Sequence, residues 1–184
     1  VAVGDHSDRP GDATHILRAF ESRGIGRVLY GTITSPSALE ILQQTGAAAG
    51  DAFDMDIGGF TASGGTPVRI TGTLAYEGEG LGYPFIAAVD FGAGNTVILT
   101  PAYSQVLYPK RFAMGSVEPA DYDVFVVKSR VHFRRGFDET GYARKIIIVE
   151  PPEPYVGTTF LNALPYQHVD ISTLYPFGAP PDRR

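Results

Sequence analysis

The sequence predicts an α/β fold: a mixed sheet with N-terminal β-α-β-α units, followed by an antiparallel meander and a further strand-helix-strand segment. Three observations predict it. The first fifty residues alternate short apolar runs with stretches of helical periodicity. The middle of the chain alternates apolar and polar residues at period two between glycine-rich turns, and residues 122–149 return to the first pattern. With 184 residues, of which 43% are hydrophobic and 19% charged, the chain is long enough for one domain with a full core.

Each element follows from local chemistry. Val1 to Gly4 reads as a strand, and Asp12 as the N-cap of a helix whose Ala13, Ile16, Leu17 and Phe20 share a face until Gly24 ends it. Arg27 to Ile33 is the second strand. Ser35-Pro36 then supplies a cap and a first-turn proline for a helix packing Leu39, Ile41 and Leu42, closed by Gly46. Two strands joined through a helix imply a right-handed parallel crossover. Phe53, Met55 and Ile57 alternate with aspartates, and Val68, Ile70, Gly72, Leu74 and Tyr76 alternate with small or polar residues. Turns at 58–59, 64–65, 78–84 and 92–95 separate these from strands at 86–91 and 96–99, the pattern of an antiparallel meander.

After a turn-rich passage, Tyr122 to Val127 reads as a buried strand and Ile146 to Val149 as another, with Gly136 and Gly141 weakening a helix between Ser129 and Tyr142. Seven of the 14 prolines fall from Pro151 onward. That region, about 151–184, is expected to drape over a single domain spanning 1–184 and to end disordered.

Composition excludes several functions. The net charge of −5 and pI of about 5.3 leave no global basic field, so neither nucleic acid nor an anionic membrane is expected as a partner. The absence of cysteine removes disulfides, thiolate metal sites and a cysteine nucleophile. No run approaches the ~18–20 apolar residues of a membrane span. A soluble protein is expected, with the cytoplasm as the default compartment. The start on Val1-Ala2-Val3, without an initiator methionine, reads as part of something longer.

Chemistry concentrates in two places. Val126-Val127-Lys128-Ser129-Arg130-Val131-His132-Phe133-Arg134 places a lysine and a serine at a strand's carboxyl end, where open α/β sheets hold ligands. Its plain alternative is a lysine reaching past the strand to water, Ser129 capping a helix, and the arginines forming a solvated face. Asp5, Asp8 and Asp12 lie on the loop after the first strand, suited to a polar substrate or a hard cation, or simply to an Asx-turn and a cap. His6, His15, His132 and His168 form no metal-ligand pattern, and neither a G-x-S-x-G elbow nor a nucleotide-binding glycine motif is present. Six of the fifteen basic residues lie within 128–145, either a solvated face or a local anion site.

Taken together, the Asp-x-x-Asp-x-Pro-Gly opening (Asp5, Asp8, Pro10, Gly11), the string from Val126 to Arg134, and the later Leu164-Pro165-Tyr166 and Leu174-Tyr175-Pro176 resemble the C-terminal domain of the MlrC family, the microcystinase C-like metallopeptidases. The resemblance runs across essentially the whole chain, and the central string is its most specific part. Family members carry a longer glycine-rich loop after the opening motif; here Gly11 leads at once into Asp12-Ala13-Thr14. The resemblance implies a two-domain, zinc-dependent hydrolase of peptide or amide bonds whose metal ligands lie in an N-terminal catalytic domain absent from this chain. It also implies that this domain packs against that one and lines its cleft, and that Asp5, Asp8, Lys128, Ser129, His132 and Arg134 face the substrate. Two other readings remain open: a purely structural or homo-oligomerisation module, and an independent anion-binding domain.

Overall fold

The computed structural model describes residues 1–149, apart from 7 and 9, together with 167, 168 and 170. Two compact units divide the chain, Val1–Pro151 and Pro152–Arg184, and the fold that follows is that of the first. The expectation of a draping, disordered tail falls outside the described residues.

In chain order the elements are β1 (Ala2–Asp5), α1 (His15–Glu21), β2 (Val28–Thr34), α2 (Pro36–Thr45), β3 (Ala52–Ile57), β4 (Val68–Gly80), β5 (Tyr83–Phe91), β6 (Asn95–Thr100), β7 (Val124–Val127), α3 (Arg134–Phe137) and β8 (Ile146–Val149). The eight strands form one mixed sheet in the order β3-β4-β5-β6-β2-β7-β1-β8. From β6 to β8 neighbouring strands run parallel, and from β3 to β6 they run antiparallel. The predicted class and its division into α/β and meander parts are thus what the chain adopts. No described helix is long and apolar enough to cross a membrane.

Burial explains the two textures. Every residue of β2 and β6 is buried, because the parallel half of the sheet is covered on both faces. Tyr30, Val97, Leu99 and Val126 join Leu17 of α1 and Leu39 and Leu42 of α2 in one core. Leu29, Ile98, Phe125 and Val127, their neighbours in sequence, point the other way into a second core with Phe112, Phe133 and Phe137. In β3, exposed Asp54 and Asp56 alternate with buried Phe53 and Ile57, as period two requires of a half-covered strand.

Several local expectations are corrected. Ile41 is 47% exposed; the buried face of α2 is Ala38, Leu39 and Leu42. Helix α1 starts at His15 with Thr14 in the cap position, so Asp12 is not its cap. The glycine-rich stretch 78–84 is mostly strand: Gly78 pairs with Ile86 and Gly80 with Tyr83, leaving a turn only at Leu81-Gly82. Packing of Tyr76, Leu81 and Tyr83 onto the second core there overrides the weak strand propensity of glycine. Between Ser129 and Tyr142 only the single turn of α3 is helical. Ring packing fixes that segment instead, with Phe137 at 5.5 Å from Phe125 and 6.2 Å from Phe133.

One glycine is demanded by this packing. A Cβ on Gly31, in the middle of β2, would stand 1.9 Å from the fully buried Phe112 ring. Gly31→Ala is therefore expected to lower unfolding free energy by roughly 1–3 kcal/mol, the usual cost of overpacking, measured by urea denaturation.

Candidate functional site at the carboxyl ends of the parallel strands

Parallel pairing of β1 with β7, with Gly4 opposite Val127, brings the two chemically dense segments of the sequence side by side. Asp5 ends β1 and Lys128 follows β7 immediately, so 123 residues of separation collapse into contact. The Lys128 ammonium donates to Asp5 Oδ2 at 2.9 Å and to the Ala13 carbonyl at 2.9 Å, and pairs with Asp8 Oδ2 at 2.7 Å. It therefore meets three oxygens, as many as it has N–H donors. Asp8 is held in turn, its two oxygens accepting the Gly11 and Ala13 amides at 2.8 Å each. The lysine side chain is only 4% exposed, against 9% and 2% for its two carboxylate partners. Neither a lysine reaching to water nor a loose Asx-turn describes this cluster; it is a buried ionic knot.

Burial alone would push the Lys128 ammonium down, and the charges of Asp5 and Asp8 more than reverse this, holding it above the ordinary lysine value. A folded-state value raised above the unfolded one stabilises the fold at all pH below the unfolded value. That contribution disappears as pH climbs through the elevated folded value, well into alkaline solution.

Around the knot, the end of β2 and two further loops are tied in. The Thr34 amide donates to the Gly11 carbonyl and its hydroxyl to Pro10, fastening the loop to the end of β2. From the passage after β6, the Tyr103 hydroxyl donates to the Lys128 carbonyl at 2.9 Å. The loop joining β3 to β4 is held by Asp12, whose fully buried carboxylate accepts the amides of Phe60 and Thr61, each at 2.8 Å, and the Thr61 hydroxyl at 2.7 Å. The Asp12 carbonyl also accepts Gly59, and Thr14 binds the Gly64 and Thr66 carbonyls. Gly58 and Gly59, with φ of 58° and 64°, let the backbone turn over Asp12 in a conformation that side chains disfavour.

Of the candidates named from sequence, Asp5, Asp8 and Lys128 form the knot and Ser129 lies buried beside it, accepting weakly from the Phe133 amide at 3.4 Å. His132 is exposed in the turn before α3, and Arg134, partly exposed, pairs with Asp138 at 2.7 Å. No described contact joins these last two to the knot. Asp12, read from sequence as a polar-substrate or cation candidate or a cap, instead clamps the 58–66 loop, and Ala13, Tyr103 and that loop carry no sequence signal of a site. Glycine pairs at both ends of that loop are visible in the sequence, but its partner Asp12 lies 48 residues away and carries no local sign of it. Among the described residues, no group of three or more histidine, aspartate or glutamate side chains is placed to hold a metal ion. Asp5 and Asp8 are paired with Lys128 instead.

Lys128→Met would leave two buried carboxylates without their cation, and is expected to cost about 3–5 kcal/mol in denaturant unfolding. Combining it with Asp5→Asn and Asp8→Asn is expected to recover much of that loss. In the unaltered protein the contribution of the Lys128 charge is expected to stay flat across neutral pH and to fall in alkali; a loss between pH 6 and 8 would contradict the assignment of the charge to Lys128.

The sequence pattern of the MlrC C-terminus family matches residues 5–168. No curated protein matches the chain. A solved structure named "Putative metallopeptidase" from Mesorhizobium sp. BNC1 superposes with a TM-score of 0.64 at 21% identity, over 80% of this chain and 32% of that one. At that identity the likeness is one of fold, and this chain spans about a third of the length of that protein. Because the family's pattern covers nearly all of the chain, including both motifs that meet at Lys128, the chain belongs to the MlrC C-terminus family.

Proposed function

We propose that this domain is the C-terminal part of a metal-dependent peptidase or amidohydrolase. It packs on an N-terminal catalytic domain and lines the substrate cleft with the carboxyl ends of its parallel strands. The observation that carries this reading is the meeting of the family's two motifs, Asp5-x-x-Asp8 and Lys128-Ser129, at one end of one sheet. In this reading the metal, zinc by the family resemblance, belongs to the other domain, and the substrate is a peptide or small amide. Lys128, Asp5 and Asp8 position the loops and the neighbouring Ser129, while exposed His132 is the side chain placed to reach a substrate carboxylate, as is half-exposed Arg134 if it exchanges its partner Asp138.

A second reading has its own support. An ammonium whose three oxygens all come from its own domain is what a purely structural or oligomerisation module would contain. The two readings part at His132. In the full-length polypeptide supplied with zinc, hydrolysis of a mixture of short linear peptides, followed by mass spectrometry, is expected. His132→Ala should lower kcat/KM about tenfold with an unchanged Tm, the loss of one charge-assisted contact of ~1.5 kcal/mol. Unchanged turnover in His132→Ala and in Arg134→Ala alike would leave the structural reading standing.

A further inference from the structure

We propose that the rim carrying Phe60 and Val131 is the surface on which this domain docks onto the N-terminal domain of its own polypeptide. The functional reading above supplies that domain; what is added is which surface meets it. Phe60 and Val131, at 56% and 55%, are the two most exposed large hydrophobic side chains among the described residues. Both are displayed by loops tied to the same place. Asp12 holds the Phe60 and Thr61 amides, the next residue's carbonyl accepts from Lys128, and Val131 stands three positions beyond that lysine.

The Phe60 loop is anchored through Gly59, Phe60, Thr61, Gly64 and Thr66, so the ring is presented on a backbone held at five positions. A side chain carried on backbone already held in place has only its own rotamer freedom left to lose on contact. Interface anchors have this character. Exposed Arg130 and His132 flank Val131 as a polar rim would.

The occupant follows from the size of the relatives. The family is a C-terminal module, and this chain accounts for 32% of the related solved chain, so most of such a polypeptide lies on the amino-terminal side of a domain like this one. A second copy pairing edge to edge through β3 is resisted by its exposed Asp54 and Asp56; the opposite edge, β8, exposes Ile147 and Ile148, and pairing of two copies is read directly by the crosslinking test below.

The test uses the full-length polypeptide carrying a photo-crosslinker, as Phe60→p-benzoylphenylalanine and separately Val131→p-benzoylphenylalanine, with Glu79→p-benzoylphenylalanine on the exposed β4–β5 hairpin as the control. After irradiation, peptide mapping is expected to find intramolecular crosslinks from positions 60 and 131 to residues preceding Val1, and none from position 79. Products confined to residues 150–184, products joining two copies, equal yield from position 79, or no crosslink at all would each overturn the docking surface. Peptide hydrolysis measured on the same samples keeps the two questions apart. Turnover without the crosslink removes this surface and leaves the peptidase reading, and the crosslink without turnover does the reverse.

Discussion

One buried cation organises the carboxyl-terminal end of this sheet. Lys128 sits where an isolated ammonium would be strongly disfavoured, and it is stable there because Asp5, Asp8 and the Ala13 carbonyl replace the water it gave up. Those three groups come from the end of β1, the loop after it and the approach to α1. Satisfying one lysine therefore fixes Asp5, Asp8 and Ala13 relative to one another. Asp8 carries the constraint further through the Gly11 and Ala13 amides, and Gly11 passes it to β2 through Thr34.

The same arrangement shapes what the domain presents outward. Because the ammonium and both carboxylates are spent on one another, the chemistry left for an external group lies next to the knot in the chain. That set comprises the turn carrying His132 and the half-exposed Arg134 beside Asp138, which follow Lys128, and the loop clamped by Asp12, which precedes Ala13. A family motif can in this way be needed for function while its charged members never touch a substrate, since positioning a rim to within a fraction of an ångström requires a stiff support.

Much of this architecture was legible from the sequence. The period-two alternation of Phe53, Met55 and Ile57 marked β3, and the apolar runs at 27–33 and 146–149 marked two further strands, the first buried throughout as β2 and the second, β8, half-exposed to exposed at the edge of the sheet. That Asp5 and Lys128 each lie at a strand's carboxyl end was legible in the sequence; parallel pairing of β1 and β7 makes those ends adjacent. What stayed hidden depends on long-range partners. Asp12 has the local look of a helix cap, and only the fold brings Phe60 and Thr61 to it. The glycines at 78 and 80 have the local look of a turn, and only pairing with β5 and packing on the second core make them strand. Lys128 has the local look of a solvated strand end, and only its partners at positions 5, 8 and 13 bury it.

The claim that one knot supports both rim loops is tested most directly by a double-mutant cycle between Lys128 and Asp12, whose side chains share no described hydrogen bond and are linked through Asp8, Gly11 and Ala13. With Lys128→Met, Asp12→Asn and the double variant unfolded in denaturant, the account predicts a coupling energy of about 1 kcal/mol or more, since loosening either residue relaxes the backbone that serves the other. Strict additivity within about 0.3 kcal/mol would mean that the two loops are held independently, and would contradict it.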